Sequence, residues 1–452
     1  MRRSVIKATA LTLVAGLVLG GGAAWAVTDA EINAGVQFNF ATPGARSLGL
    51  AGAFTGVADD ATAAFTNPAG LMILSKPEIS LEAKFSDFTT EYTDRGHAFG
   101  GATGVGVDTE DGLFIEEADS DTVGAAFISF VYPRKRWAVA AYRHELANFE
   151  TEITTQGAFF DVAGASFRLF PVMADMDLQI SNYGVSGAFR VSNNLSIGAG
   201  VSAYDFEIDS TTQRFGLTVF EEVPNFSPAN VQNIQTQDGD DTDVAFNVGL
   251  QWKFLPKWNL GLAFREGAEF DYTAANTFGP ASGTPGVPIA SNTATFSVPD
   301  VAGLGVSFRP WDALLISFDY DRVEYSALTD DVTSNFFDQG TLTPVELTAL
   351  GKLEVEDGDE FRLGAEYVFL GKTPVAIRVG TWLDPDHKIS FDGAPADILE
   401  EKSLAVLFFE GDDEVHVSAG VGLVIGKRFQ IDAAIDVSNL INIASVSGVF
   451  RF

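Results

Sequence analysis

The chain has no cysteine, which removes disulfide frameworks, thiolate metal sites and thiol nucleophiles at once. Positive charge is scarce: 28 Lys and Arg stand against 61 Asp and Glu, a net charge of -33. Phosphate backbones need a positive footprint, so nucleic acid is excluded as a partner. Histidine is rare too. His97, His144, His387 and His416 fall in no metal-binding or catalytic spacing, no Gly-x-Ser-x-Gly occurs, and no pair of carboxylates can be placed in a cleft. Neither an enzyme, a metal nor a cofactor is expected. Long apolar runs are also missing, because nothing beyond the first 26 residues approaches the roughly 20 residues a spanning helix needs. Any membrane crossing must therefore be made by strands.

The amino terminus reads as an export signal. Arg2, Arg3 and Lys7 precede ALTLVAGLVLG, and Ala24-Trp25-Ala26 has the small-x-small form cut by a signal peptidase. Residues 1-26 are expected to be removed. The full sequence is 46% hydrophobic with 38 Phe despite its acidity, a combination that asks for charge to be segregated in space.

Period-two alternation supplies that segregation. In VHVSAGVGLVI, Val415, Val417, Ala419, Val421, Leu423 and Ile425 share one face, opposite His416, Ser418, Gly420 and Gly422. Such segments predict strands near 77-86, 121-132, 136-147, 177-190, 194-207, 242-254, 258-271, 292-308, 312-325, 359-369, 373-384, 412-425, 428-438 and 444-452. The total is about fourteen, and an even count suits a closed antiparallel transmembrane barrel. Tight, often basic turns such as PRKR, VSNN and LPKW alternate with long linkers at 87-120, 148-176, 208-241, 272-291, 326-358 and 385-411. Short periplasmic turns and long extracellular loops are the asymmetry of outer-membrane barrels. The acidic runs TEDGLFIEEADSD, QDGDDTD, EVEDGDE and EGDDE fall in the long linkers or at their edges. They suit a solvated rim that meets lipopolysaccharide through counterions; a cation site is the alternative. A soluble β-sandwich would not explain the alternation of turn lengths, nor a final Val449-Phe450-Arg451-Phe452 ending on an aromatic, which looks like the signal read by the outer-membrane assembly machinery.

About fifty residues separate the cleavage site from the first strand. They are too apolar for a free tail and too few for a domain, so residues 27-75 are expected to plug the lumen of a barrel formed by 76-452. Within them the run PGARSLGLAGAFTGVADDATAAFTNPAGL resembles the amino-terminal hatch of the FadL/TodX family of outer-membrane transporters for long-chain fatty acids and aromatic hydrocarbons. Gly-Ala-Arg, Gly-x-x-Gly-Ala-Phe, Asp-Asp-Ala and Asn-Pro-Ala-Gly-Leu occur in order, and the similarity continues at GDEFRLGAEYVFLGKTPVAIRVGTWLDPD and in the last strands. The resemblance implies a fourteen-stranded, hatch-plugged barrel in the outer membrane of a Gram-negative bacterium. It also implies passive uptake of hydrophobic small molecules, and lateral release into the bilayer through an inward kink of the third strand. Here that strand, RWAVAAYRHELANF, has no Gly or Pro, and a bulge near Arg143 to Glu145 would have to supply the kink.

The gate implied by the hatch is Asn67, Pro68, Ala69 and Gly70. Pro68 fixes its own φ and biases Asn67 away from helix, while the two small residues let the bend approach the wall; an ordinary helix-ending turn reads the same way. Phe38, Phe40, Phe54 and Phe65 are candidates to line an apolar ligand path, or simply to pack the plug. On the strands, Phe361, Leu363, Ala365, Tyr367 and Phe369 face lipid, so Arg362 and Glu366 face inward, as do Arg265, Asp319, Asp321, Arg378, Asp432 and Asp436. These charges either receive a ligand carboxylate or form ion pairs that grip the plug. Inward glycines, Gly198, Gly200, Gly249, Gly364, Gly420 and Gly422, would let the plug sit close. An aqueous porin and a binding or secretion partner remain the competing functions.

Overall fold

The computed structural model describes residues 42-97, 100-162, 165-169, 171-215, 225-279, 286-328, 336-338, 343-345, 352-392, 411-426 and 428-452. The expected signal segment 1-26, Phe38 and Phe40 lie outside these residues.

Fourteen antiparallel strands close into a barrel. We label them β1 (Glu78–Gly96), β2 (Leu113–Pro133), β3 (Trp137–Thr155), β4 (Val172–Arg190), β5 (Leu195–Phe215), β6 (Val231–Leu255), β7 (Trp258–Arg265 and Glu269–Phe278), β8 (Val287–Ser297 and Val301–Trp311), β9 (Leu314–Val323), β10 (Gly358–Phe369), β11 (Val375–Asp384), β12 (Glu414–Ile425), β13 (Phe429–Val437) and β14 (Ile441–Arg451). Strand order follows the chain, and β14 returns to β1 with Ile79 opposite Phe450. Each strand predicted from alternation coincides with one of these.

Alternation also puts the faces where the sequence suggests. Val417 is 55% exposed on the lipid side while His416 between its neighbours is fully buried. Phe361, Leu363, Tyr367 and Phe369 point out, Arg362 and Glu366 in. Near the tight turns the outer surface carries an aromatic belt, with Trp258 stacked on Phe308 at 4.2 Å. Such belts sit at the membrane boundary.

The long linkers need correction. Much of 87-120, 148-176 and 208-241 is strand rather than loop, since β1, β2, β3, β5 and β6 run on well past the apolar belt. Glu116 to Asp121 lies within β2, and Gln237 to Asp243 within β6. Beyond the membrane both faces of a strand meet water, so hydropathy alternation fades while the ladder continues. Turn length does not alternate throughout either: β13 and β14 are joined at the opposite end by a short turn, where Ser438 N donates to Ile441 O at 3.1 Å.

The described residues that precede β1 pack against the inner face of the wall. From Pro43 to Met72 every residue is buried except Arg46 and Asp59, which are half-buried. The segment holds only short helical turns, α1 (Ala45–Leu48), α2 (Ala63–Thr66) and a 3-10 turn (Pro68–Met72). It touches the wall on opposite sides: Leu50 packs on Gly364 of β10 and Gly380 of β11, and Pro68 on Gly198 of β5. A Cβ at Gly198 would collide with the backbone of Pro68 and Ala69, so this close approach requires glycine. Of the inward glycines read from sequence, Gly49 is the partner of Gly420 and Asn67 of Gly249, whereas Gly200 and Gly422 make room for wall side chains.

Candidate functional site

The wall has a seam. β2 and β3 pair only from Phe127 opposite His144 down to Pro133 opposite Ala138. Above that rung, residues 113-126 of β2 pair with β1 alone, and Glu145 to Thr155 of β3 with β4 alone. Irregularities flank the seam on both sides. The β3–β4 register slips between Glu145 and Ala147, which makes Leu146 an extra residue, and the β1–β2 register slips between Glu82 and Lys84. Bulges bend a strand and re-aim its side chains. The inward bend is visible in Phe88 of β1 and Phe149 of β3, whose rings meet at 5.5 Å although β2 lies between their strands. The bulge sits beside the position inferred from RWAVAAYRHELANF.

Few bonds cross the seam. Among the described residues, Arg143 donates to Ala125 O and Thr122 Oγ1 donates to Asn148 O at 3.3 Å. A second lapse in the wall, between β6 and β7 beside the break at 266-268, is bridged more fully: Asp243 accepts Glu269 N at 3.0 Å, Asp241 accepts Asp271 N at 2.8 Å, and Glu266 accepts Phe246 N at 3.1 Å.

Behind the seam stands Phe65 of α2. Its ring lies 4.5 Å from that of His144 and 6.1 Å from that of Tyr142, and the Arg265 guanidinium covers it at 4.6 Å. Its backbone is anchored from the other side. Asn247 Nδ2 donates to Phe65 O at 2.6 Å, and Ser186 Oγ to Ala64 O at 2.6 Å. Phe54 lies elsewhere, in a small cluster with Leu50, Val57 and Leu315, with the Arg46 guanidinium 5.5 Å above it. Asn67, Pro68, Ala69 and Gly70 follow α2 directly and are fully or almost fully buried. Asn67 Nδ2 donates to Thr55 O at 3.1 Å and to Leu250 O at 3.2 Å, so its amide ties two parts of the plug to β6. Its φ of -147° is extended, the geometry expected of a residue before proline. Ser196 Oγ holds Ala69 O at 3.0 Å.

The lumenal charges form chains that end on the plug. Arg46 of α1 makes a two-pronged contact with Glu366 at 3.0 and 3.1 Å, Glu366 also accepts Arg378 Nε at 2.7 Å, and Arg378 reaches Asp432 at 2.8 Å. Arg362 pairs with Glu360 and, at 3.3 Å, with Asp321; it donates to Ala51 O at 3.2 Å and lies 4.0 Å above the Trp382 ring. Asp319 accepts Thr55 N at 2.5 Å. Arg362 and Glu366 thus reach Ala51 and Arg46 directly, and Arg378 joins them through Glu366. Arg46, the only basic residue of 27-75, was not among the expected site residues; a lone cation in so apolar a stretch is the signal that marks it.

Toward the long-connection end the interior turns aromatic. Phe206 stacks on Phe270 at 4.7 Å and on Phe296 at 5.4 Å, close to the buried Leu178 and Ile180. The inward Tyr204 and Phe206 of β5, Phe270 and Tyr272 of β7 and Phe296 of β8 carry this feature in the sequence. The arrangement has no chemistry beyond apolar burial, worth about 25 cal/mol per Å². At the other end, among the tight turns, an open recess of about 330 Å³ is lined by Arg190, Lys253, Lys257 and Arg309 together with Asp59 and the apolar Val57 and Met72.

Residues 25–438 match the family model described as outer membrane protein transport protein (OMPP1/FadL/TodX). Solved structures with the same fold include a Pseudomonas aeruginosa FadL homologue, at 15% identity and a TM-score of 0.62, with 92% of this chain and 100% of that one covered. The Ralstonia pickettii toluene transporter TbuX is 18% identical with a TM-score of 0.59, over 92% and 99% of the two chains. The CymD monoaromatic hydrocarbon channel is 16% identical with a TM-score of 0.58, again over 92% and 99%. No curated protein matches the chain.

Proposed function

Because this chain belongs to the OMPP1/FadL/TodX family of outer-membrane transport proteins, we propose that it is a passive channel that takes hydrophobic molecules, such as fatty acids or hydrocarbons, from the outer surface and releases them sideways into the bilayer. As a family member it resides in the outer membrane of a Gram-negative bacterium and transports hydrophobic compounds. Cargo would enter at the aromatic interior near Phe206, move toward Phe65, and leave through the seam between β2 and β3. Residues 27-75 act as the hatch, with Asn67 to Gly70 as its stiff bend and Phe65 as the surface that moves. Burial supplies the binding energy and the gradient into the membrane supplies direction, so neither ATP nor a redox cofactor is called for. The acidic strand extensions would meet lipopolysaccharide through counterions, and Phe452, 53% exposed, would be the handle for the assembly machinery.

The observation that carries this reading is the end of the β2–β3 ladder at Phe127 and His144, with Phe65 seated behind it. A competing axial route would end in the basic recess among the tight turns. Filling the seam separates them. Ala126, 1% exposed, is the last β2 residue above the paired rungs, and Ala126→Trp should reduce hydrocarbon uptake by cells at least tenfold while the barrel keeps its heat-resistant gel migration. Full uptake through that variant would contradict lateral release.

A further inference from the structure

We propose that Gln235, with Thr212 and Asn276 on either side of it, recognises the uncharged hydroxyl head of a long-chain cargo, so that this channel selects neutral oxygenated lipid over plain hydrocarbon. The inference rests on the channel reading above and names its cargo class.

The three residues form one rung of the wall. Gln235 of β6 stands opposite Thr212 of β5 and Asn276 of β7, and all three face inward toward the long-connection end, at most 2% exposed. Five of their side-chain polar atoms have no hydrogen-bond partner: Thr212 Oγ1, Gln235 Nε2 and Oε1, and Asn276 Nδ2 and Oδ1. Ser210 Oγ, one inward position closer to the aromatic stack on β5, is open in the same way. Polar side chains at the level of the plug are used differently. Ser186, Asn247 and Gln251 each donate to a plug carbonyl, at 2.6, 2.6 and 2.8 Å. Buried polar groups are almost always paired, so two neighbouring amides open at both ends make a surface that a ligand with its own donor and acceptor can satisfy.

Charge and reach select that ligand. The inward positions Ile208, Ser210, Thr212, Gln235 and Gln237 are uncharged, while the outward Glu207, Asp209, Asp238 and Asp240 beside them are exposed carboxylates. An anion is repelled by this collar, and at the rung it meets amide oxygens with no proton to give them. Arg214, the next inward position of β5, is already engaged. A hydroxyl both donates and accepts, so it pairs with an amide oxygen and an amide nitrogen together. Below the rung the inward column turns apolar, through Ile208 and Phe206 on β5 and Tyr272 and Phe270 on β7, all within the buried core. Phe206 and Phe270 are each six residues from the rung, about 20 Å at roughly 3.3 Å per residue. That span fits a long alkyl chain with its head at Gln235, and is too long for a toluene-sized solute to bridge.

Equilibrium binding of radiolabelled hexadecanol and hexadecane to the purified full barrel, in one detergent, tests this on the wild type, Gln235→Leu and Thr212→Val. The wild type should bind hexadecanol at least tenfold more tightly than hexadecane. Gln235→Leu should remove at least tenfold of the hexadecanol affinity, and Thr212→Val, the milder change, a smaller part of it. Both variants should keep hexadecane binding within twofold of the wild type and leave heat-resistant gel migration unchanged. Equal losses for the two probes would make the rung structural, and no loss for hexadecanol would put its head elsewhere; either result overturns the proposal while leaving the channel intact. A wild type that binds neither probe overturns the channel reading itself, and this proposal with it.

Discussion

The ring of Phe65 and the imidazole of His144 lie 4.5 Å apart, centroid to centroid, at the uppermost rung that joins β2 to β3. The plug therefore touches the wall where the wall's own hydrogen bonding ends. Shortening that side chain should unblock the seam. Phe65→Ala is expected to raise the rate of hydrocarbon uptake several-fold, since the backbone anchors from Asn247 and Ser186 survive and the plug stays seated. Uptake at the wild-type rate would show that Phe65 is packing and not a gate.

Asn67 and Pro68 set the bend. Losing the Asn67 amide removes its hydrogen bonds to Thr55 O and Leu250 O, worth about 0.5 to 1.5 kcal/mol each, although Gln251 Nε2 still donates to Thr55 O at 2.8 Å, and losing Pro68 frees the preceding backbone. The double change Asn67→Ala with Pro68→Ala should impair uptake and leave heat-resistant migration of the barrel unchanged. Uptake that also stays unchanged would count against the hatch as gate.

Glu366 joins Arg46 of the plug to Arg378 of the wall. Removing one partner of a buried ion pair costs about 3 to 5 kcal/mol, so Glu366→Gln should loosen the plug at α1. Planar-bilayer recordings are expected to show a closed wild type and intermittent open events in the variant. A wild type with steady porin-like conductance would contradict a plugged lumen.

The strands were legible because lipid imposes a simple rule. Each lipid-facing position must be apolar and the next one need not be, so Val415 to Ile425 and Phe361 to Phe369 declare their faces without knowledge of any neighbour. That rule stops at the membrane boundary, which is why Glu116 to Asp121 looked like loop and is strand. The inward charges Arg362, Glu366 and Arg378 followed from the same rule, but their partners did not: nothing in the sequence says that Arg46 lies beside Glu366, 320 positions away. The seam was only half legible. A bulge near Arg143 to Glu145 can be inferred, whereas the loss of pairing above Phe127 depends on the register of three strands together.

The route of the cargo is the central claim, and photo-crosslinking tests it most directly. A long-chain fatty acid bearing an aliphatic diazirine, activated during uptake and mapped by mass spectrometry, should label Phe65, Phe127, His144 and Leu146 along the seam. Labelling confined to Arg190, Lys257, Trp258 and Arg309 at the tight-turn end would mean that cargo leaves along the barrel axis, and lateral release would be wrong.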